Sequence, residues 1–275
     1  MIAERAYAKT NLVLHVGAPR VDGLHPLCSL FASLELADEV GVEESGDDEV
    51  RCPGVEGENL AMRAIAAIRE AAPGVVPPLR VTIEKRIPVA AGLGGGSADA
   101  AAVLRAANEL GGAPLSADRL REIAAGLGSD VPSQVEPGPA LVGGVGEKVE
   151  PIDLPGTALV LVPAASGLAA AQVYAELDRL RAWREQLDPG RLRRLAARPL
   201  PELAAAVEND LQPAVLSLRP ELERRLAELL EAGALAAALS GSGPTAFGVF
   251  EDERGAEAAA STLPGGIVTR TRQRP

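Results

Sequence analysis

Residues 88–99 read Pro88-Val89-Ala90-Ala91-Gly92-Leu93-Gly94-Gly95-Gly96-Ser97-Ala98-Asp99, and what flanks them decides how the chain folds. Upstream, Leu79–Lys85 (LRVTIEK) alternates apolar and polar residues as a strand does. Downstream, the alanine-rich run Ala98–Leu110 predicts a helix. Clustered glycines let a backbone approach a phosphate closely and aim successive N–H groups at its oxygens. A helix beginning directly after the loop adds the positive end of its dipole. Ser97 offers a hydroxyl to a phosphate oxygen or to a bound Mg²⁺. A flexible linker would not run straight into so strong a helix, and the stretch reads as a phosphate-binding loop. It is not a P-loop, which needs GxxxxGK[ST], because no lysine follows these glycines. Nor is it a dinucleotide fingerprint, whose GxGxxG sits tight against the first strand. Here Arg86–Ala91, Pro88 among them, separate the strand from the first glycine.

Working outward, the first third reads as strands at Ala6–Val16, Cys28–Leu36 and Val40–Glu44, the last two parted by a charged turn at Asp38-Glu39. Asn59 predicts the cap of a helix running to about Ala72, and Ser116 that of another over Ala117–Leu127. A Pro/Gly-rich tract, Pro132–Gly146, carries the chain onward, and Leu154-Pro155-Gly156 marks a boundary between units at 1–154 and 155–275. The second unit predicts strands at Ala158–Val162, Leu235–Leu239, Thr245–Phe250 and near Ile267–Arg270. Its helices are expected near Ala169–Arg181, Pro201–Leu211, Pro220–Ala232 and Gly255–Ser261. Strands and helices mix without sustained βαβ alternation, so the expected class is α+β in two domains.

Composition closes off several functions. The 275 residues carry 27 Lys+Arg against 38 Asp+Glu, a net charge of −11, so general attraction for nucleic acid is excluded. Aromatics make up 2%, too few for a platform that stacks single-stranded bases. No stretch approaches a membrane span: the most apolar, 158–171, is interrupted by Pro163, Ser166 and Gly167. The N-terminal residues carry charges where a signal peptide is apolar, so a cytoplasmic, soluble protein is expected. Cys28 and Cys52 have no metal-ligand spacing and read as idle thiols of a reducing compartment.

PVAAGLGGGSADAAA resembles the nucleotide loop of the GHMP kinases, the family of galactokinase, homoserine kinase and mevalonate kinase. Ala8-Lys9-Thr10-Asn11-Leu12 and Leu239-Ser240-Gly241-Ser242-Gly243-Pro244-Thr245 resemble the family's other two motifs, in the expected order across nearly the whole chain. Arg20-Val-Asp22-Gly23-Leu24-His25-Pro-Leu27, Gly128-Ser129-Asp130-Val131-Pro132 and Asn209-Asp210-Leu211 narrow the likeness to one branch. Members of that branch phosphorylate the 2-hydroxyl of a cytidine-diphosphate-linked methylerythritol on the non-mevalonate route to isoprenoids. The resemblance implies an N-terminal domain like ribosomal protein S5 domain 2, a ferredoxin-like C-terminal domain, and ATP with Mg²⁺ in the cleft. It implies small-molecule partners and a monomer or homodimer. Two departures stand out: Leu24 where the branch has Tyr, and Ser133-Gln134 where an aromatic residue follows DVP.

On this likeness Asp130 is the expected base for the substrate hydroxyl. Lys9, in a largely apolar strand, needs a carboxylate partner, and pairing with Asp130 would keep that acid ionised. Pro88, Gly92, Leu93, Gly94, Gly95, Gly96, Ser97 and Ala98 are the expected nucleotide-binding residues. Asn11, His25, Tyr174, Ser240 and Gly241 are those expected to bind substrate, with His25 and Tyr174 at the cytosine and Asn11 near the substrate hydroxyls or the ATP loop. His15 reads as structural, and Asp22 as a turn former. No cluster has protein-only metal spacing, so Mg²⁺ is expected to arrive with ATP and keep several waters. Other readings are a GHMP kinase for another small alcohol, a binding-only relative and, more distantly, a dehydrogenase. The DGLHPL segment favours a cytidine ligand, and the joint presence of Lys9, Ser97 and Asp130 favours catalysis.

Overall fold

In the computed structural model, which describes residues 1–55, 57 and 59–274, the chain opens with two long strands, β1 (Ile2–Val16) and β2 (Leu27–Glu44). They pair antiparallel from Ile2↔Val42 to Val16↔Leu27, with bulges that shift the register after Tyr7 and after Asn11. There follow β3 (Glu49–Arg51), α1 (Leu60–Ala71), β4 (Leu79–Glu84), α2 (Gly95–Leu110), α3 (Ala117–Ala125), the single turn α4 (Val131–Gln134), β5 (Ala140–Gly144) and β6 (Lys148–Pro151). β4 pairs with the C-terminal half of β2 and β5 with its N-terminal half, so one long strand organises both ends of the first sheet. α1 begins where Asn59 Oδ1 accepts from the Ala61 N–H at 2.9 Å, and it buries Ala61, Ala64, Ile65 and Ile68. Those residues pack on α2, whose buried positions are mostly alanine, and side chains this small let two helices and a sheet approach closely.

The second half contains β7 (Ala158–Val162), α5 (Ala170–Leu180), α6 (Pro189–Ala196), α7 (Leu200–Ala204), β8 (Glu208–Asn209), α8 (Gln212–Leu218), α9 (Leu222–Glu231), β9 (Ala236–Leu239), β10 (Ala246–Phe250), α10 (Glu253–Thr262) and β11 (Ile267–Arg270). Its sheet has the order β11-β7-β10-β9, all antiparallel. Numbered within that sheet the strands run 4-1-3-2, the split arrangement of a ferredoxin-like unit. Between the sheets Leu12, Leu30, Leu34, Ile87, Leu93, Leu161 and Phe247 share one core, which seats the cleft on packed side chains. Both cysteines are free.

Four expectations are corrected. The charged pair Asp38-Glu39 is not a turn: β2 runs straight through it, and Asp38 is fully buried. Its carboxylate is satisfied there by Lys85 Nζ at 2.5 Å and by the N–H groups of Arg86 and Ile87 at 2.6 and 2.8 Å. The helix expected over Pro201–Leu211 stops at Ala204, because residues 208–209 are recruited as β8, parallel to β1. The tract Pro132–Gly146 is not merely connecting loop, since α4 and β5 lie in it. The helix after the glycines starts at Gly95 rather than Ala98, inside the glycine run itself.

Candidate active site

Three sequence segments distant along the chain meet at one point. The Lys9 N–H of β1 donates to the Leu93 carbonyl of the glycine loop at 2.9 Å. The Ser240 hydroxyl, after β9, donates to the Gly92 carbonyl at 3.0 Å and accepts from Thr10 Oγ1 at 3.0 Å. Gly92 has a φ of +79°, and a Cβ there would stand 2.3 Å from the Ser240 carbonyl oxygen and 2.5 Å from Gly243 Cα. Two glycine-rich turns thus interlock backbone to backbone, which no side chain would allow.

The glycine loop walls a cavity of 330 Å³ with Pro88, Gly92, Leu93, Gly94, Gly95, Gly96 and Ser97, together with Asn59, Lys85 and Asp99. Gly94 caps α2 in the left-handed conformation (φ 70°) with no side chain across the helix end. The first-turn N–H groups of a sixteen-residue helix are therefore left to an outside acceptor, the geometry an anionic phosphate needs. Ala98 does not line this cavity; its side chain is in the core and its N–H closes the first helical turn on the Gly94 carbonyl. Beneath the loop, Lys85 Nζ bridges Asp38 Oδ2 at 2.5 Å and Asp99 Oδ2 at 2.8 Å. Burial pushes the Asp99 carboxyl up to about 7, against the pull of the Lys85 ammonium.

A second cavity, of 590 Å³, adjoins the first, and Ser97 lines both. Lys9 and Asp130 stand on its wall with Nζ and Oδ2 at 3.2 Å, the lysine side chain 6% and the carboxylate 33% exposed. Asp130 precedes α4, held in place as the Ser133 hydroxyl donates to its carbonyl at 2.8 Å. Lys9 Nζ also donates to Asn11 Oδ1 at 2.9 Å and lies 4.8 Å from the centre of the Phe31 ring. The ammonium is thus paired on all sides while the carboxylate keeps a face open to the cavity. A carboxylate so placed lies within reach of a hydroxyl group that enters the cavity.

On the wall of the same cavity His25 is buried, and its Nδ1 donates to the Gly17 carbonyl at 2.8 Å. The ring is tilted against Tyr174 with centroids 5.3 Å apart, and against Trp183 at 6.2 Å. Burial pushes the Tyr174 hydroxyl up to about 12, with the charge of Asp130 adding to the effect. Leu24 is on the wall too, half exposed, whereas Ser133 and Gln134 are buried outside it. Gly241 lines the cavity and its carbonyl accepts from Asn209 Nδ2 at 2.8 Å. Ser240 does not: fully buried, it straps the two loops together from behind. His15 is held by Glu208 at 2.7 Å, and Asp22 accepts from the Leu24 N–H within its turn, both as read from the sequence.

Sequence reasoning passed over Phe31, Asp178, Ser242 and Ser29. Asp178 lies four residues beyond Tyr174 on α5, so helical spacing places both on one face, and its Oδ1 is 3.2 Å from His25 Nε2. Phe31 is the register partner of Asn11 on the neighbouring strand, a pairing no linear pattern announces. Among the described residues no group of three or more His, Cys, Asp or Glu could hold a metal. The Ser97 hydroxyl stands where the two cavities meet.

Comparison with known proteins accords with this geometry. The model of the GHMP kinases N terminal domain matches residues 59–142, and that of GHMP kinases C terminal matches residues 185–265. The 4-diphosphocytidyl-2-C-methyl-D-erythritol kinase of Anaeromyxobacter dehalogenans is 46% identical, over 94% of this chain and 84% of that one. That of Streptomyces avermitilis is 41% identical over 98% of this chain and 95% of its own. A crystal structure of 4-(cytidine 5'-diphospho)-2C-methyl-D-erythritol kinase superposes with a TM-score of 0.83 at 33% identity, covering 98% of this chain and all of that one. A mevalonate kinase structure, at 12% identity and a TM-score of 0.71, shares the fold. Likeness on this scale, end to end and in both halves, is common descent: the chain belongs to the GHMP kinases, in the 4-diphosphocytidyl-2-C-methyl-D-erythritol kinase family.

Proposed function

We propose that this chain transfers the γ-phosphoryl group of ATP to the 2-hydroxyl of 4-diphosphocytidyl-2-C-methyl-D-erythritol, a step in making isoprenoid precursors. The observation that carries this reading is the junction at Ser97. A glycine-walled cavity at a helix N-terminus opens there into a larger one holding a lysine-paired carboxylate. MgATP would supply the phosphoryl group, its phosphates against the N–H groups of Gly94–Ser97 and its metal within reach of the Ser97 hydroxyl. The two units, 1–154 and 155–275, would form the two sides of the cleft.

Phosphoryl transfer needs alignment and charge stabilisation more than covalent help from the protein. Asp130 accepts the proton of the acceptor hydroxyl as it attacks. Lys9, paired with Asp130, balances the negative charge that gathers beside it. The wall of the 590 Å³ cavity at His25, Tyr174 and Leu24 takes the cytosine, and Asn11 and Gly241 flank the methylerythritol and its diphosphate. No helix among the described residues is long and apolar enough to cross a membrane, and we place this chemistry in the cytoplasm with small-molecule partners.

The test is ADP release from MgATP with diphosphocytidyl-methylerythritol, mevalonate, phosphomevalonate, homoserine and galactose in parallel. Turnover with the cytidine compound alone is expected. Turnover with another acceptor would keep the phosphate loop and overturn the assignment of the His25 end. ATP binding without turnover of any acceptor would make the chain a binding-only relative.

A further inference from the structure

Behind Lys9 and Asp130 runs a chain of hydrogen bonds whose direction is set by donor and acceptor chemistry. The Ser29 hydroxyl of β2 is completely buried and lies 2.7 Å from the Val13 carbonyl. A carbonyl can only accept, so the hydroxyl's single proton is committed to it. Ser29 Oγ must then accept from Asn11, whose Nδ2 lies 2.8 Å away. With Nδ2 held there, Asn11 turns Oδ1 toward Lys9 Nζ at 2.9 Å, and the ammonium, which only donates, meets an acceptor. Lys9 Nζ in turn forms an ion pair with Asp130 Oδ2 at 3.2 Å. The donors and acceptors of Val13, Ser29, Asn11 and Lys9 thus fit one direction of hydrogen bonding, and the chain ends at the Lys9–Asp130 ion pair.

We infer that Ser29 is a positioning residue of this active site: it holds the Asn11 amide so that Oδ1 faces Lys9, and through Asn11 it keeps the ammonium on Asp130. Ser29 lines neither cavity and touches no reacting group. Without its hydroxyl, Asn11 Nδ2 becomes a buried donor lacking an acceptor, and the amide is free to turn. A turned amide presents N–H to the ammonium, and Lys9 is pushed off its place beside the carboxylate. The effect falls first on the Lys9 side chain and Asp130, since the glycine loop is held by the backbone N–H of Lys9 on the Leu93 carbonyl and by the Ser240 hydroxyl on the Gly92 carbonyl.

This inference rests on the kinase reading, so its test has one arm that needs no turnover. In ¹⁵N-labelled protein the Asn11 side-chain amide should show slowly exchanging, shifted Nδ2 protons, and Ser29→Ala should abolish both properties. In the kinetic arm Ser29→Ala should lower kcat about tenfold while KM for MgATP stays within about twofold, the signature of a lost proton acceptor geometry rather than lost nucleotide binding. Ser29→Cys, of nearly the same shape but with a weaker donor, should fall between, and it stands in if the alanine variant does not fold. An unmoved Asn11 amide overturns the inference whatever the kinetics show. So does unchanged kcat in a variant whose amide has been released. Failure of the wild type to phosphorylate any acceptor would overturn the kinase reading and leave the amide arm to decide the role of Ser29.

Discussion

Lys9 Nζ and Asp130 Oδ2 lie 3.2 Å apart, one carried on β1 and the other at the turn that opens α4. The lysine is almost wholly buried and the carboxylate is not, so the pair has a closed side and an open one. A buried ammonium without a partner would be costly, which explains why Asn11, Phe31 and Asp130 surround it. The open side faces the cavity, where the proposed acceptor hydroxyl would stand.

Asp130→Asn keeps the shape of the side chain and removes its basicity. Turnover is expected to fall by about 10²–10⁴, while the dissociation constant of a non-hydrolysable ATP analogue, measured by calorimetry, stays within about threefold. Equal loss of nucleotide binding would remove Asp130 from its role as base. Lys9→Arg should not rescue a Lys9→Met variant, since the glycine loop packs on the lysine stem. A Cβ at Gly94 would already stand 2.8 Å from Lys9 Cγ.

Gly92→Ala tests the interlock of the two loops. The new methyl would meet the Ser240 carbonyl and the Gly243 backbone, and alanine strains at a φ of +79°. We expect at least about 2 kcal/mol of lost stability by denaturant titration, together with a raised KM for MgATP. A variant as stable and as active as the wild type would show that the interlock is dispensable.

Asp99 gives stability a pH dependence of known sign. Its carboxyl is raised from 3.8 to about 7 in the fold, so the folded chain holds a proton that the unfolded chain has released. That contribution is complete below the unfolded value and is lost as pH rises through about 7. Asp99→Asn should therefore gain stability on the wild type as pH rises from about 5 to about 9, by on the order of 1–3 kcal/mol. A melting-temperature difference that does not change with pH would contradict the assignment.

Leu24→Tyr restores an aromatic side chain to the cavity wall beside His25. A ring able to stack on cytosine is worth about 0.5–1.5 kcal/mol, so affinity for cytidine diphosphate should rise about two- to tenfold. The chain has one tryptophan, Trp183, whose ring is 6.2 Å from that of His25, and its fluorescence should report the binding. No change in fluorescence on adding cytidine diphosphate, to wild type or variant, would place the nucleobase elsewhere.

What the sequence determined by itself was local. Residues 79–110 announce strand, glycine loop and helix because alternation, clustered glycine and an alanine run act over a few neighbours. The caps Asn59 and Ser116 were legible for the same reason, each hydrogen-bonding within its own first turn. Lys9 was recognisable as a cation out of place in an apolar strand, and so its need for a carboxylate could be stated before any fold was known. Tertiary structure alone decided the rest. Asp38 reads as a turn until Lys85 and the N–H groups of residues 86–87 arrive from β4 to satisfy it. Residues 208–209 become a strand because β1 offers them an edge, and Ser240 turns inward because Gly92 and Thr10 wait there. Ser29 carries no local signal at all, since its place in the site comes from strand register and from the direction of hydrogen bonds across it. Backbone preference is a property of neighbours in sequence, whereas satisfying a buried charge or proton donor depends on partners that only the closed fold brings within 3 Å.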